Sequence, residues 1–168
     1  MKKLLLLLNI VLISCTNTPE KNHSSDYYYN LGCLFYQEGD LKSAIDRFST
    51  AIKIDYEYTN AYVNRANILL EIGNYIDAME DYSRAISLSP NDASIYYNRG
   101  RLYDQLNECK NAIDDYTRAI RVDPNYAIAY NNRGISKYIL NINACSDFKR
   151  GCDLGNINSC ENYYNECE

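Results

Sequence analysis

The chain has 168 residues, enough for one compact domain and little more. It carries 22 acidic against 17 basic residues, a formal charge of −5, which argues against nucleic acid, whose binding needs clustered Lys and Arg. Its single His, His23, lies in a polar stretch near the start, and no Ser-His-Asp, HExxH, P-loop or GxGxxG pattern is present. In chain order, the first predicted element is residues 1–14. Lys2 and Lys3 form a basic start, Leu4 to Ile13 are apolar apart from Asn9, and Ser14 precedes Cys15. This is the shape of a signal peptide, too short for a transmembrane helix of about 20 residues. Removing Lys2 and Lys3 takes the 17 basic residues to 15 against 22 acidic ones, a formal −7. That argues against a polybasic grip on anionic lipid. Residues Thr16 to Ser24 are polar without a hydrophobic period, so residues 15–24 read as a tether. Nine residues span at most about 30 Å extended and about 16 Å as a random coil.

From residue 25 the chain repeats every 34 positions. Tyr62, Tyr96 and Tyr130 keep this spacing, as do Arg65, Arg99 and Arg133. A period in this range means stacked supersecondary units, which usually bind other proteins. The repeats align as 25–58, 59–92, 93–126 and a shortened 127–156. Each holds two helix-period stretches around a turn, at Gly39-Asp40, Gly73-Asn74 and Asn107-Glu108. Gly and Asn tolerate the left-handed conformation that ends a helix. Pro90 and Pro124 are expected to stop the second helices of repeats 2 and 3.

Repeat 3 supplies Tyr96, Gly100, Tyr103, Ala112, Tyr116, Ala119 and Pro124, and repeat 2 supplies Tyr62, Ala66, Leu69, Ala78, Tyr82, Ala85 and Pro90. Repeat 1 supplies Tyr28, Gly32, Phe35, Ala44, Phe48 and Ala51, with Tyr56 in place of Pro. This series resembles the tetratricopeptide repeat. The resemblance covers about residues 25–156 and implies an all-α fold. That fold is a right-handed α/α superhelix of about four helix-turn-helix repeats, closed here by a C-terminal capping helix in 157–168. Small residues let paired helices approach, and aromatics of roughly 150–250 Å² each fill the space around the contact. One repeat cannot cover its own apolar face, so neighbours must stack.

Within this frame Arg65, Arg99 and Arg133 recur with Asp81, Asp115 and Asp147, while repeat 1 lacks both partners, with Leu31 and Arg47 in those places. Joint presence and joint absence predict an Arg–Asp pair in each of repeats 2 to 4. Asn30, Asn64, Asn98 and Asn132 share one position in all four repeats. The resemblance implies that first helices line a concave groove, where Asn bonds the backbone of a bound peptide. An amide suits this, with two donors and an acceptor. Tyr29, Asn67, Tyr97, Arg101 and Asn131 are the expected groove neighbours. The bland alternative is that Asn is a stack-supporting filler of the repeat.

Four cysteines crowd the C-terminus. Cys145 and Cys152 are seven apart, as are Cys160 and Cys167, with the turn Leu154-Gly155-Asn156 between the pairs. In an antiparallel helix hairpin one register sets Cys145 against Cys167 and Cys152 against Cys160. Helix axes 8–10 Å apart bring facing Cα atoms to roughly 4–5 Å, within disulfide reach. Both disulfides are therefore expected, each contributing up to about 3 kcal/mol, on a final helix presenting Glu161, Asn162 and Asn165 to water. A metal site is the rival reading, but CxxC spacing is absent. No metal, cofactor or catalytic residue is assigned. Cys33 is read as a small groove or core residue, and Cys109 as a thiol near a turn.

Leu12-Ile13-Ser14-Cys15 resembles the bacterial lipobox, which implies that Cys15 becomes the lipidated first residue of a mature lipoprotein. Thr16, rather than Asp, then favours the outer membrane, with the domain on its periplasmic face. The reading is a membrane-tethered protein-interaction scaffold in a bacterial cell envelope, binding an extended peptide segment and not an enzyme. The Cys152–Cys160 spacing also resembles cysteine-rich bacterial α/α-repeat proteins. That resemblance implies the alternative of binding or weakly hydrolysing cell-wall or β-lactam compounds, although it supplies no nucleophile–base pair.

Overall fold

A computed structural model describes residues 23–168. Residues 1–14, Cys15 and most of the expected tether lie outside the described residues. Among the described residues there are nine helices and no strand: α1 (Ser25–Gln37), α2 (Leu41–Ile54), α3 (Thr59–Glu71), α4 (Tyr75–Leu88), α5 (Ala93–Gln105), α6 (Cys109–Val122), α7 (Ala127–Ile139), α8 (Cys145–Asp153) and α9 (Ile157–Cys167). They pack as α1 on α2, α3 on α4, α5 on α6 and α7 on α8, with each pair against the next and α9 against α8 and α7. The fold is an all-α superhelical solenoid.

Local chemistry sets the boundaries. Ser24 caps α1 by accepting from the Tyr27 N–H, and Asp40 caps α2 by accepting from the Ser43 N–H, each satisfying a donor that a helix start leaves free. The turns inside the repeats need positive φ. Gly39 and Gly73 supply it at +79°, and Asn107 and Asn141 supply it at 59° and 57°. Proline is not what stops the second helices. α2, α4 and α6 are each 14 residues long, although only the last two are followed by Pro. After α2 and α6, Asp55 and Asp123 turn the chain, each accepting from the backbone N–H two residues on.

Close approach inside each repeat depends on residues without bulk. A Cβ on Gly100 would stand 2.6 Å from the Tyr116 ring, and one on Gly134 would meet the Phe148 ring similarly closely. Between repeats, Ala61, Ile95, Ala129, Ile68, Leu102 and Ser136 are sealed in the seams. In repeat 1 the same register holds Tyr27 and Leu34, which are 45% and 54% exposed. No described helix precedes α1, so nothing described covers them.

The Arg–Asp pairs form. Arg65, Arg99 and Arg133 each grip their Asp with two N–H donors, at 2.6–3.1 Å. Each also reaches backward. The third guanidinium nitrogen donates to Ser49, Ser83 or Thr117 on the second helix of the preceding repeat, at 2.8–3.3 Å. In repeat 4 the Arg–Asp separation falls from 16 residues to 14, and Lys137 joins Asp147 at 2.7 Å.

Candidate functional groove

The first helices α1, α3 and α5 enclose two cavities on one face. The α1–α3 cavity, of about 210 Å³, is lined by Cys33, Tyr36, Gln37, Asn64 and Asn67 over Phe48 and Ile68. The α3–α5 cavity, of about 380 Å³, is lined by Tyr36, Asn67, Leu70, Glu71, Asn98 and Arg101. Tyr36 and Asn67 belong to both, so the cavities join into one groove across three repeats.

The asparagine ladder divides within this groove. Asn64 donates to the Tyr29 hydroxyl at 3.1 Å, and Asn132 donates to the Tyr97 hydroxyl at 3.4 Å. Both bonds tie one repeat to the one before it. The matching residue in repeat 2 is Val63, so Asn98 has no phenol to meet, and among the described residues its amide has no partner. Asn30 is exposed, lines neither cavity, and is also without a partner among the described residues. Alternate rungs are thus tied into the stack and free.

The expected neighbours divide in the same way. Tyr97 is buried, with its ring centroid 5.2 Å from Tyr126 and 5.8 Å from Tyr116, and burial raises its pKa. Tyr29 packs against Tyr58 and Phe48 at 5.0 and 5.7 Å. Neither ring lines the two cavities. Asn67 accepts from the Tyr82 hydroxyl at 2.6 Å, and its NH₂ has no partner among the described residues. Arg101 is exposed and makes no ion pair among the described residues, yet its charge is near enough to oppose the upward pKa shifts of Tyr82 and Tyr97. Cys33 lines the first cavity as a half-buried thiol, whereas Cys109 is buried at the start of α6.

Asn131 corrects the expectation. It is 4% exposed and does not line the groove. Its Oδ1 accepts from Ser159 Oγ at 3.2 Å and from Asn162 Nδ2 at 3.1 Å, both on α9. Asn162 is therefore turned to the stack and not to water. The cap is tied to α8 by Cys145–Cys167 and Cys152–Cys160, with Cα separations of 5.7 and 4.5 Å. Among the described residues no group of three or more His, Cys, Asp or Glu is placed to hold a metal ion.

Sequence reasoning missed Asp104. Its carboxylate accepts from the Tyr116 hydroxyl and from Ser136 Oγ at 2.8 Å, joining repeats 3 and 4. The available signal was Ser136, a polar residue where Ile68 and Leu102 stand in the preceding repeats.

Family models described as TPR repeat match residues 32–73 and 66–107, and one described as Tetratricopeptide repeat matches residues 93–126. No curated protein matches the chain significantly. Solved structures share the fold. A crystal structure of MamA is 24% identical, with a TM-score of 0.75 and 77% of each chain covered. MamA 41-end from Desulfovibrio magneticus RS-1 is 23% identical, with a TM-score of 0.74, covering 80% of this chain and 77% of that one. The first TPR of Spaghetti (RPAP3), bound to the HSP90 peptide SRMEEVD, is 22% identical, with a TM-score of 0.67, covering 70% and 93%.

Proposed function

We propose, from the premise that the chain belongs to the tetratricopeptide repeat family, that it is a membrane-tethered scaffold that holds an extended segment of another protein in its groove. Protein interaction is the coarse function that the fold carries. A solved neighbour with a peptide bound supports an extended peptide as the occupant here. The observation that carries the reading is the run of uncommitted donors along one groove: the amide of Asn98, the NH₂ of Asn67 and the Arg101 guanidinium. Each can bond peptide carbonyls without asking the stack to give up a bond, and Arg101 adds the one cationic donor lining the two cavities. Asn64 lines the first cavity with its amide already bonded to the Tyr29 hydroxyl.

The tether is the second part of the proposal. The lipobox-like Leu12-Ile13-Ser14-Cys15 supports lipid attachment at Cys15 and a place in a bacterial cell envelope, on the periplasmic face of the outer membrane. No helix among the described residues is long and apolar enough to cross a membrane, and a lipid on Cys15 would do that anchoring. No catalytic residue and no cofactor is assigned.

A photo-crosslinker placed at residue 98 in intact cells is expected to trap a partner that one placed at Glu80, outside the groove, does not. Replacing both Asn98 and Arg101 with Ala removes a neutral and a charge-assisted donor, and should reduce capture at least tenfold, with unchanged helicity. Equal trapping at both sites, or undiminished capture by the double variant, would sink the proposal. Asn64→Ala should act differently, lowering stability by about 1 kcal/mol because the Tyr29 hydroxyl loses its donor.

A further inference from the structure

We propose that α9 is a cap held by its disulfides, and that a dithiol reductant releases it while the repeats stay folded. The interior first helices α3 and α5 grip the stack through apolar burial, whereas α1, at the other end, buries only Gly32. α3 seals Ala61, Ala66, Ile68 and Leu69 inside, and α5 seals Ile95, Tyr96, Tyr97, Gly100 and Leu102. α9 buries one residue, Ser159. Two of its large side chains point away, with Ile157 74% and Tyr164 61% exposed, and the third, Tyr163, is half-buried beside Lys149 of α8. Eleven residues are too few for a stable helix in water without tertiary support. The support here is the pair of cross-links to α8, the bonds from Ser159 and Asn162 to Asn131, and two small contacts with α8, Ser159 on Gly151 and the Tyr163 ring on Lys149.

The break falls between α8 and α9 for a physical reason. α8 has its own hold on the stack, with Phe148 buried and Asp147 paired with both Arg133 and Lys137, while Gly151 is closed over by Ser159 of α9. The turn between them holds a half-buried Leu154 and Gly155 at φ +89°. None of the four cysteines is fully buried. Cys145 and Cys167 also line an open cavity of about 580 Å³ with Tyr138, Ile139 and Phe148, which gives a reductant access to that bond.

For each bond, a dithiol thiolate attacks one sulfur, the protein S–S bond breaks, and the second thiol closes the reductant into a disulfide. Two electrons and two protons pass to the protein per bond, so both bonds together yield four thiols. Release frees Asn131 from its α9 partners.

The test is hydrogen exchange on the purified, folded protein before and after dithiothreitol, with complete reduction verified by alkylation and mass. Amides of residues 157–167 should exchange at least tenfold faster after reduction, while those of 93–126 keep their protection. The double variant Cys145→Ser, Cys167→Ser should open the end of α9 in the same direction without reductant. Three results would each overturn the proposal: α9 keeping its protection when fully reduced, the repeats losing protection together with α9, or four free thiols in the protein before reduction.

Discussion

Tyr82 and Tyr116 are sealed in the middle of their repeats, yet each hydroxyl has an acceptor, Asn67 in one case and Asp104 in the other. Burial raises both pKa values above the ordinary tyrosine value of 10.0, with the Asp104 carboxylate adding to the effect on Tyr116. A folded-state value above the unfolded one means that the neutral phenol is favoured by folding. Its contribution is complete below about pH 10 and is lost as pH rises through the folded value, because unfolding then releases a proton. Urea midpoints between pH 8 and 11 should therefore fall above pH 10, with each phenol adding up to about 1.4 kcal/mol per pH unit. The double variant Tyr82→Phe, Tyr116→Phe should be less stable at pH 8 and show a shallower alkaline fall. An unchanged slope would place the alkaline sensitivity elsewhere. The tyrosines of the repeat register have a plainer use: Tyr96 and Tyr130 each donate to the carbonyl of the proline six residues earlier.

Between helices, the recurring guanidinium joins three elements at once. Arg99 on α5 holds Asp115 on α6 with two bonds and Ser83 on α4 with a third. Its hydrogen bond to Asp115 raises its already high pKa, against the opposing effect of burial, so the charge is permanent. Asp115 is nearly sealed, so removing its partner would leave a lone buried charge. Arg99→Ala should cost about 3–5 kcal/mol in urea unfolding, a large share of the stability of an ordinary domain. The single variant Ser83→Ala should cost far less, since Arg99 keeps two of its three bonds. Equal losses would contradict this division. Repeat 1 marks the boundary of the device. Leu31 replaces the Arg, and Arg47 stands where the Asp would be, with its Nε buried and without a hydrogen-bond partner among the described residues.

The whole molecule is asymmetric from end to end. At its start Tyr27 and Leu34 stand exposed in the register that later repeats seal. At its close α9 covers repeat 4 and is cross-linked there. Solenoids need atypical ends because each repeat covers only its neighbour. Our proposal of a lipid on Cys15 puts the open end near the bilayer, since the polar stretch to Ser24 spans at most about 30 Å. Palmitate labelling followed by fractionation should place the wild type with membranes and leave Cys15→Ser unlabelled and released. A labelled Cys15→Ser protein would refute lipid attachment at that residue.

The 34-residue register set out the helix pairs of the repeats, their turns and the Arg–Asp partners, and a seven-residue spacing across one hairpin set out the facing cysteines. Each of these follows from spacing along one or two adjacent helices, which the sequence carries directly. The register could not tell one asparagine rung from the next. Asn64 and Asn98 share a position, but Tyr29 stands across the seam from one and Val63 from the other, and only the stacked structure brings those pairs together. Asn131 was lost to the cap for the same reason: its partners, Ser159 and Asn162, lie on a helix outside the repeat. Which donors remain free for a ligand is set by contacts between repeats, and these depend on what each neighbour contributes, not on the period that places it.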